Sequence, residues 1–156
     1  MSDISLKIMN RNLCHLLYKE WQNDVSIYMD MSLYKPYVYD SNQVDKYFTS
    51  KTSPDRIMFA IMLDDKPIGE LQLKKISILK KECTLSIHMQ NDYVKGKGYG
   101  SLAIHLAIEY AFDELGMNVI KADAVTKNVR SQHVLEKVGF CFVEECNGFK
   151  YYEMKK

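Results

Sequence analysis

Three of the chain's seven glycines stand at every second position, directly before a long apolar run. They are Gly96, Gly98 and Gly100 in the stretch YVKGKGYGS, and the run LAIHLAIEYAF follows at once. Glycine adopts the backbone conformations of tight turns and leaves the main chain bare for a ligand. The apolar run predicts a helix that begins near Tyr99 and packs against a core. The stretch therefore predicts a tight turn that leads directly into a helix N-terminus.

Such a helix N-terminus is an anion-binding site when the main chain in front of it is accessible. Its first N–H groups have no partner within the helix, and the helix dipole places partial positive charge there. Lys95 and Lys97 add charge next to the glycines. We interpret the stretch as a cradle for a diphosphate, and a glycine-rich loop with solvated lysines is the alternative interpretation.

Two other phosphate-binding patterns fit less well. The Walker-type loop requires G-x-x-x-x-G-K-[ST], and the chain has no such spacing. The dinucleotide fingerprint G-x-G-x-x-G requires a glycine where Ser101 stands, and it usually follows the first strand of its domain. A nucleotide-binding protein that merely shares the glycines stays a hypothesis.

Length and composition favour one ordinary globular domain. The chain has 156 residues, 47% of them hydrophobic, and we expect residues 1–156 to form a single domain. The formal net charge of +1 gives no strong field for nucleic acid or membrane, and we predict neither as a partner. No run reaches the roughly 18 apolar residues of a membrane span, and the N-terminus lacks a signal-peptide pattern. A cytoplasmic location is the expectation.

The cysteines and histidines show no metal-binding spacing, so we predict no metal site. The nearest pair of cysteines in sequence, Cys141 and Cys146, is five residues apart and matches no zinc or redox motif. We expect all four cysteines, with Cys14 and Cys83, to be reduced thiols, most of them buried.

The hydrophobic pattern predicts the element order β-α-α-β-β-β-α-β-α-β-β, a mixed α/β fold with a largely antiparallel sheet and flanking helices. Helices are expected to begin at Asn10 or Asn12, at Ser41, near Tyr99 and at residue 128. Strands are predicted at residues 4–9, 56–63, 67–79, 83–90, 118–125, 140–146 and 148–154.

A second motif follows the glycine stretch by about 30 residues. Residues 128–140, NVRSQHVLEKVGF, resemble the N-x-x-[SA]…E-K-x-G-F segment of the GNAT superfamily of acyl-CoA-dependent N-acetyltransferases. Residues 95–100 fit the family's [QR]-x-x-G-x-[GA] loop, with Lys95 in place of glutamine or arginine. The element order is similar to the GNAT fold along nearly the whole chain. Within the superfamily, the second motif looks most like the ribosomal-protein N-terminal (alanine or serine) acetyltransferases.

The resemblance implies how acetyl-CoA, the cosubstrate, is held. Asn128 would hydrogen-bond the pantetheine arm. The main chain near Met89 and Gln90 would pair with the pantetheine amides, in a splay between strands 83–90 and 118–125. The glycine loop would hold the diphosphate through these residues: Lys95, Gly96, Lys97, Gly98, Tyr99, Gly100 and Ser101.

The implied reaction is acetyl transfer to a primary amine, either a protein N-terminus or a small molecule. An alkylammonium ion has a pKa of about 10, so a base must remove a proton before attack. His88, on the strand that leads to the cradle, is our candidate base. Glu70, Glu82 and Asp123 are alternatives that the sequence does not rank.

The leaving thiolate also needs a proton donor. Many family members use a tyrosine seven residues after the motif asparagine, but this chain has Leu135 there. The serine-containing subgroup suggests Ser131 as the substitute, although a serine in the first helical turn commonly bonds backbone. Leu135 also motivates a second hypothesis, a sensor that binds acetyl-CoA without catalysis.

In similar proteins, the region from Trp21 to Tyr47 walls the acceptor pocket. We expect the tyrosines of the irregular stretch to shape that pocket, Trp21 and Tyr47 to pack in the core, and the acidic residues to be solvated. A polyamine or an aminoglycoside is the alternative acceptor, and homodimers are common among similar proteins. The tyrosines are Tyr28, Tyr34, Tyr37 and Tyr39, and the acidic residues are Asp24, Asp30 and Asp40.

Overall fold

The computed structural model describes residues 3–23 and 31–156, which form one seven-stranded sheet between two layers of helices. The predicted fold class and element order are confirmed. The helices are α1 Arg11–Lys19, α2 Ser41–Ser50, α3 Tyr99–Glu109 and α4 Val129–Lys137. The strands are β1 Ile4–Ile8, β2 Ile57–Leu63, β3 Lys66–Ser77, β4 Glu82–Met89, β5 Val119–Val125, β6 Cys141–Cys146 and β7 Phe149–Lys155.

The helix starts follow side-chain capping. Asn10 caps α1, because its side chain accepts a hydrogen bond of 2.8 Å from the N–H of Leu13. The predicted cap of α2, Ser41, is instead the first helical residue, and the carboxylate of Asp40 accepts from the two N–H groups that follow Ser41. Both residue types are good N-caps, so the pattern located this helix within one residue.

The sheet order is β1-β2-β3-β4-β5-β7-β6, and only β4 and β5 are parallel neighbours. These two strands pair over four positions, from Glu82 opposite Val119 to Leu85 opposite Ala122. Beyond Leu85 the register ends, while β5 continues to pair with β7 as far as Val125. The second halves of β4 and β5 therefore border an open slot in the middle of the sheet.

The two faces of the sheet carry different helices. Helices α3 and α4 bury Leu85 of β4 and Ala122 of β5 in the larger core, and this side is called the α3/α4 face. Helices α1 and α2 pack on β2 and β3 on the other side, the α1/α2 face. His88 and Asp123 lie on the α1/α2 face and are exposed, since each alternates with core residues of its strand.

The exposure of the cysteines differs from the expectation. All four are free thiols, but only Cys14 and Cys83 are buried, whereas Cys141 and Cys146 on the edge strand β6 are exposed. Burial raises the pKa of the Cys14 thiol to about 12 and that of Cys83 to about 11. In the segments 3–23 and 31–156, no helix has the length and apolar character needed to cross a membrane.

We expect only the two exposed thiols to react quickly with a disulfide reagent at neutral pH. Thiolate is the reactive form of cysteine. The buried pair is shielded from the reagent, and the raised pKa values of its thiols keep them protonated. Absorbance titration should count two fast thiols in the native protein and four in urea. A Cys141→Ala/Cys146→Ala variant should lose the fast phase, and a fast phase that survives would contradict the placement of β6.

Candidate active site

A cavity of about 270 Å³ occupies the slot and opens through the sheet. Ile104 of α3 and Val134 of α4 line it on one face. Ser86, His88 and Asp123 line it on the other. A molecule threaded between β4 and β5 would therefore contact both faces of the sheet at once.

The glycine loop lies at the mouth of this slot with its main chain accessible. Gly96 has φ 73° and Gly98 has φ 82°, conformations that favour glycine. A Cβ added to either glycine would meet no atom within 4 Å. Among the described parts of the chain, no acceptor is present for the amide N–H groups of residues 96–100. These N–H groups and the N-terminus of α3 can therefore point at an anion.

The end of β4 differs from the expectation at Gln90. Its N–H donates to the carbonyl of Ile68 and its carbonyl accepts from the N–H of Gln22, both at 2.8 Å. Its side-chain amide donates to the carbonyl of Leu17 at 2.7 Å, and the residue is only 1% exposed. Gln90 therefore anchors α1 to the sheet rather than facing a ligand. Because main-chain groups alternate along a strand, those of Met89 face the slot instead.

Asn128 and Ser131 stand on the α4 side of the slot. The side chain of Asn128 caps α4 by accepting a hydrogen bond of 3.1 Å from the N–H of Ser131. Its oxygen is thus engaged, and its NH₂ group is left for a ligand carbonyl. Ser131 lines the cavity, and Leu135, which is buried and also lines it, offers only methyl groups.

The structure separates the three alternative carboxylates. Glu70 is 1% exposed and fully engaged in hydrogen bonds. Glu82 pairs with Lys121 at 3.4 Å at the closed end of β4 and β5. Asp123 alone of the three lines the cavity, across the slot from His88. The geometry therefore leaves His88 and Asp123 as the candidate bases.

The carboxylate of Glu70 is held by three donors. The hydroxyl group of Tyr18 donates to it, that of Tyr47 lies 2.7 and 2.8 Å from its two oxygens, and the Gln72 amide donates at 2.6 Å. Burial raises the pKa of both tyrosines well above the ordinary range, and the negative charge of Glu70 adds to the shift. Both hydroxyl groups therefore stay protonated, and the cluster ties α1 and α2 to β3.

A second cavity of about 580 Å³ adjoins the slot. One wall is aromatic, with Trp21, Tyr34 and Tyr37, and Trp21 also lines the first cavity. Trp21 packs against the core of the α1/α2 face as expected, but it lies beyond the end of α1, is only half-buried and lines both cavities. Tyr18 stacks beneath this wall, with its ring centroid 4.6 Å from that of Trp21.

Other residues expected near the acceptor lie elsewhere. Tyr39 contacts the imidazole of His15 at 2.7 Å and lines neither cavity. Asp40 serves as the cap of α2. Tyr28, Asp24 and Asp30 lie outside the described residues.

A second part of the lining of this cavity, called the basic wall, was missed by the sequence interpretation except for Lys95. Lys95, Lys127 and Arg130 line it, and Lys74 lines the first cavity. Burial lowers the pKa of Lys74, and the nearby carboxylate of Asp123 opposes that shift. A signal was present, since Lys127 and Arg130 flank Asn128 in the motif. Across residues 3–23 and 31–156, no cluster of three metal-ligating side chains occurs.

The chain matches the family described as acetyltransferase (GNAT) domain over residues 12–141. A probable N-acetyltransferase of Bacillus subtilis (strain 168), YjcK, is 34% identical over 77 residues. That match covers 49% of this chain and 42% of the relative, so the chain spans less than half of the relative's length.

Solved structures show the same fold at low sequence identity. A Vibrio cholerae spermidine N-acetyltransferase in complex with CoA and spermine has a TM-score of 0.78 at 18% identity, covering 97% of this chain and 95% of that chain. A domain from Methanocaldococcus jannaschii has a TM-score of 0.79 at 18% identity, over 100% of both chains. With its slotted sheet, its glycine loop and the match over residues 12–141, the chain belongs to the GNAT acetyltransferase family.

Proposed function

We propose that this protein transfers the acetyl group of acetyl-CoA to a primary amine by direct attack in a ternary complex. The observation that carries the proposal is the slot between β4 and β5. It joins accessible loop amides on the α3/α4 face to His88 and Asp123 on the α1/α2 face. A coenzyme and an amine can therefore meet from opposite sides of the sheet.

The chain's own groups fit acetyl-CoA. The N–H groups of residues 96–100, with Lys95, Lys97 and Ser101 beside them, supply donors and charge for a diphosphate. The main chain of Met89 and the free NH₂ of Asn128 face the slot for the pantetheine amides. Acetyl-CoA supplies the activated thioester when it is bound.

The acceptor is activated on the α1/α2 face. His88 or Asp123 takes a proton from the ammonium group, directly or through a water molecule, so that the nitrogen lone pair can attack the acetyl carbonyl carbon. The C–S bond then breaks, and the second proton that the nitrogen loses passes to the sulfur through the Ser131 hydroxyl group or through solvent. With a leucine at position 135, no phenol stands at the position that many family members use.

Release of CoA thiol with a panel of primary amines tests the proposal. We expect turnover by the parent protein and about a 100-fold loss of kcat in whichever of His88→Gln and Asp123→Asn removes the base. Glu82→Gln, at the closed end of the strands, is the control and should keep the parent rate. Activity that requires an unprotonated base should fall as the pH is lowered.

Saturable binding of acetyl-CoA without turnover of any amine would favour the sensor hypothesis instead. Stabilisation against heat by ATP or NAD, but not by acetyl-CoA, would favour a nucleotide-binding protein. Ser131→Ala separates the two proton donors, because solvent protonation of the thiolate leaves its rate unchanged.

The acceptor, the domain boundary and the location remain parts of the proposal. A ribosomal-protein N-terminus is suggested by the second motif alone, since none of the relatives named above is described as acting on one. Polyamine acceptors are suggested by the Vibrio cholerae relative, a spermidine N-acetyltransferase solved with spermine, and an aminoglycoside stays a further alternative. We also propose that residues 1–156 form one domain and that the protein is cytoplasmic.

A homodimer is proposed on the basis of the edge strand β6. All six of its residues are exposed, and Phe142 and Val143 are 53% and 52% exposed. A two-sided exposed edge strand with apolar side chains is a template for pairing with a second copy. Sedimentation analysis should show a dimer that Val143→Lys converts to monomer, and a monomeric parent protein would refute the proposal.

A further inference from the structure

We infer that the amine acceptor also carries an anionic group, a carboxylate or a phosphate, and that Lys127 and Arg130 bind it. The inference rests on the proposed acetyl transfer and names the chemical class of the acceptor. It concerns the basic wall of the 580 Å³ cavity, which Trp21 and Tyr37 also line.

The described walls of the 580 Å³ cavity carry more basic than acidic side chains. Lys127 and Arg130 make no ion pair or hydrogen bond with any carboxylate that the structure describes. Asp92, the carboxylate on the same walls, lies 3.3 Å from Lys95. Arg130 and Lys127 also flank the N-terminus of α4, which adds partial positive charge. The described walls therefore carry a local excess of positive charge.

The positive charge of the basic wall extends to the α1/α2 face of the sheet. The glycine loop leads into α3, which covers the α3/α4 face, so a diphosphate is expected at that side. The 580 Å³ cavity borders this loop at Lys95, and it extends to Trp21 and Tyr37, which follow α1 and precede α2 on the α1/α2 face. Lys127 and Arg130 thus reach the side from which the amine approaches.

The two cavities together constrain the shape of the acceptor. An amine placed between His88 and Asp123 enters the smaller cavity, and the remainder of the molecule extends into the larger one, because both cavities share Trp21 and Asn128. The aromatic wall favours an apolar or planar body, and the basic wall favours an anion. A polyamine would instead bring further ammonium groups against Lys127 and Arg130, and like charges repel.

Matched pairs of amines that differ only by a carboxylate test the inference. We propose tyramine with tyrosine and hexylamine with 6-aminohexanoate, with spermidine as the polycation. The better-fitting carboxylated partner should have a kcat/KM at least about 10-fold higher than its uncharged counterpart, as one charged hydrogen bond contributes. Arg130→Ala and Lys127→Ala should erase that preference by raising the KM of the carboxylated amine, with KM for acetyl-CoA unchanged.

Lys137→Ala, at the far end of α4, is the matched control and should keep the parent preference. A preference for spermidine or for the uncharged partner of both pairs would overturn the inference while leaving acetyl transfer intact. So would a rise in KM for acetyl-CoA in the Arg130 and Lys127 variants, because these side chains would then bind the coenzyme phosphates. If no amine is turned over, acetyl transfer itself is refuted and the inference falls with it.

Discussion

Glu70→Ala is expected to lower the free energy of unfolding by about 3 kcal/mol or more. The substitution removes an acceptor that is 1% exposed and leaves the hydroxyl groups of Tyr18 and Tyr47 and the Gln72 amide without it. Each buried donor left unsatisfied costs roughly 1–3 kcal/mol, and little water can enter to replace the carboxylate. Tyr47→Phe removes only one of the three donors, so we expect a loss of about 1 kcal/mol.

Urea unfolding followed by circular dichroism measures this effect. Glu82→Ala is the matched control, because Glu82 is a carboxylate on the adjacent strand whose ion pair with Lys121 is partly exposed. Exposed pairs contribute about 0–1 kcal/mol. Equal unfolding midpoints for the Glu70 and Glu82 variants would show that the buried cluster does not stabilise the fold.

Gly100→Val is expected to weaken acetyl-CoA binding by about 100-fold, or close to 3 kcal/mol. Gly100 lies in the first turn of α3 and lines the slot, and the nearest atom to an added Cβ is Cδ1 of Ile87 at 3.9 Å. An added Cβ therefore fits the fold, and valine is no worse than glycine within a helix. Its methyl groups would cover the N–H groups that a diphosphate must approach.

Isothermal calorimetry measures the affinity, and thermal unfolding checks that the fold is retained. Gly100→Ala is the graded control, since a single methyl group leaves more room and should weaken binding less. Parent-like affinity in the valine variant would place the diphosphate away from the N-terminus of α3.

The features that the sequence predicted best are local ones. The alternation of Leu85 and Ile87 with Ser86 and His88 was sufficient to assign β4 and its two faces. The three closely spaced glycines predict a turn, and Gly96 and Gly98, which have positive φ, lie in it. Such signals survive in a single sequence because they depend on neighbours in the chain.

The features that the sequence could not predict depend on distant contacts. Gln90 follows an alternating strand like any surface residue, yet it is buried because α1 docks on it through the carbonyl of Leu17. Glu70 was a candidate base from the sequence, but Tyr18 and Tyr47, from two different helices, enclose it. Helix docking decides both cases, and no spacing pattern reports which helix covers which residue.

The two parts of the sheet meet where β4 pairs with β5, and this pairing is short. Strands β5, β7 and β6 pair with the first part of the sheet through four residue pairs, which end at Leu85 and Ala122. An extended ligand with amide groups along its length would act as an added strand between β4 and β5 and would extend the connection between the two parts of the sheet. Coenzyme binding would then tie the two parts of the sheet together, and slower amide exchange in β5 on addition of acetyl-CoA would reveal it.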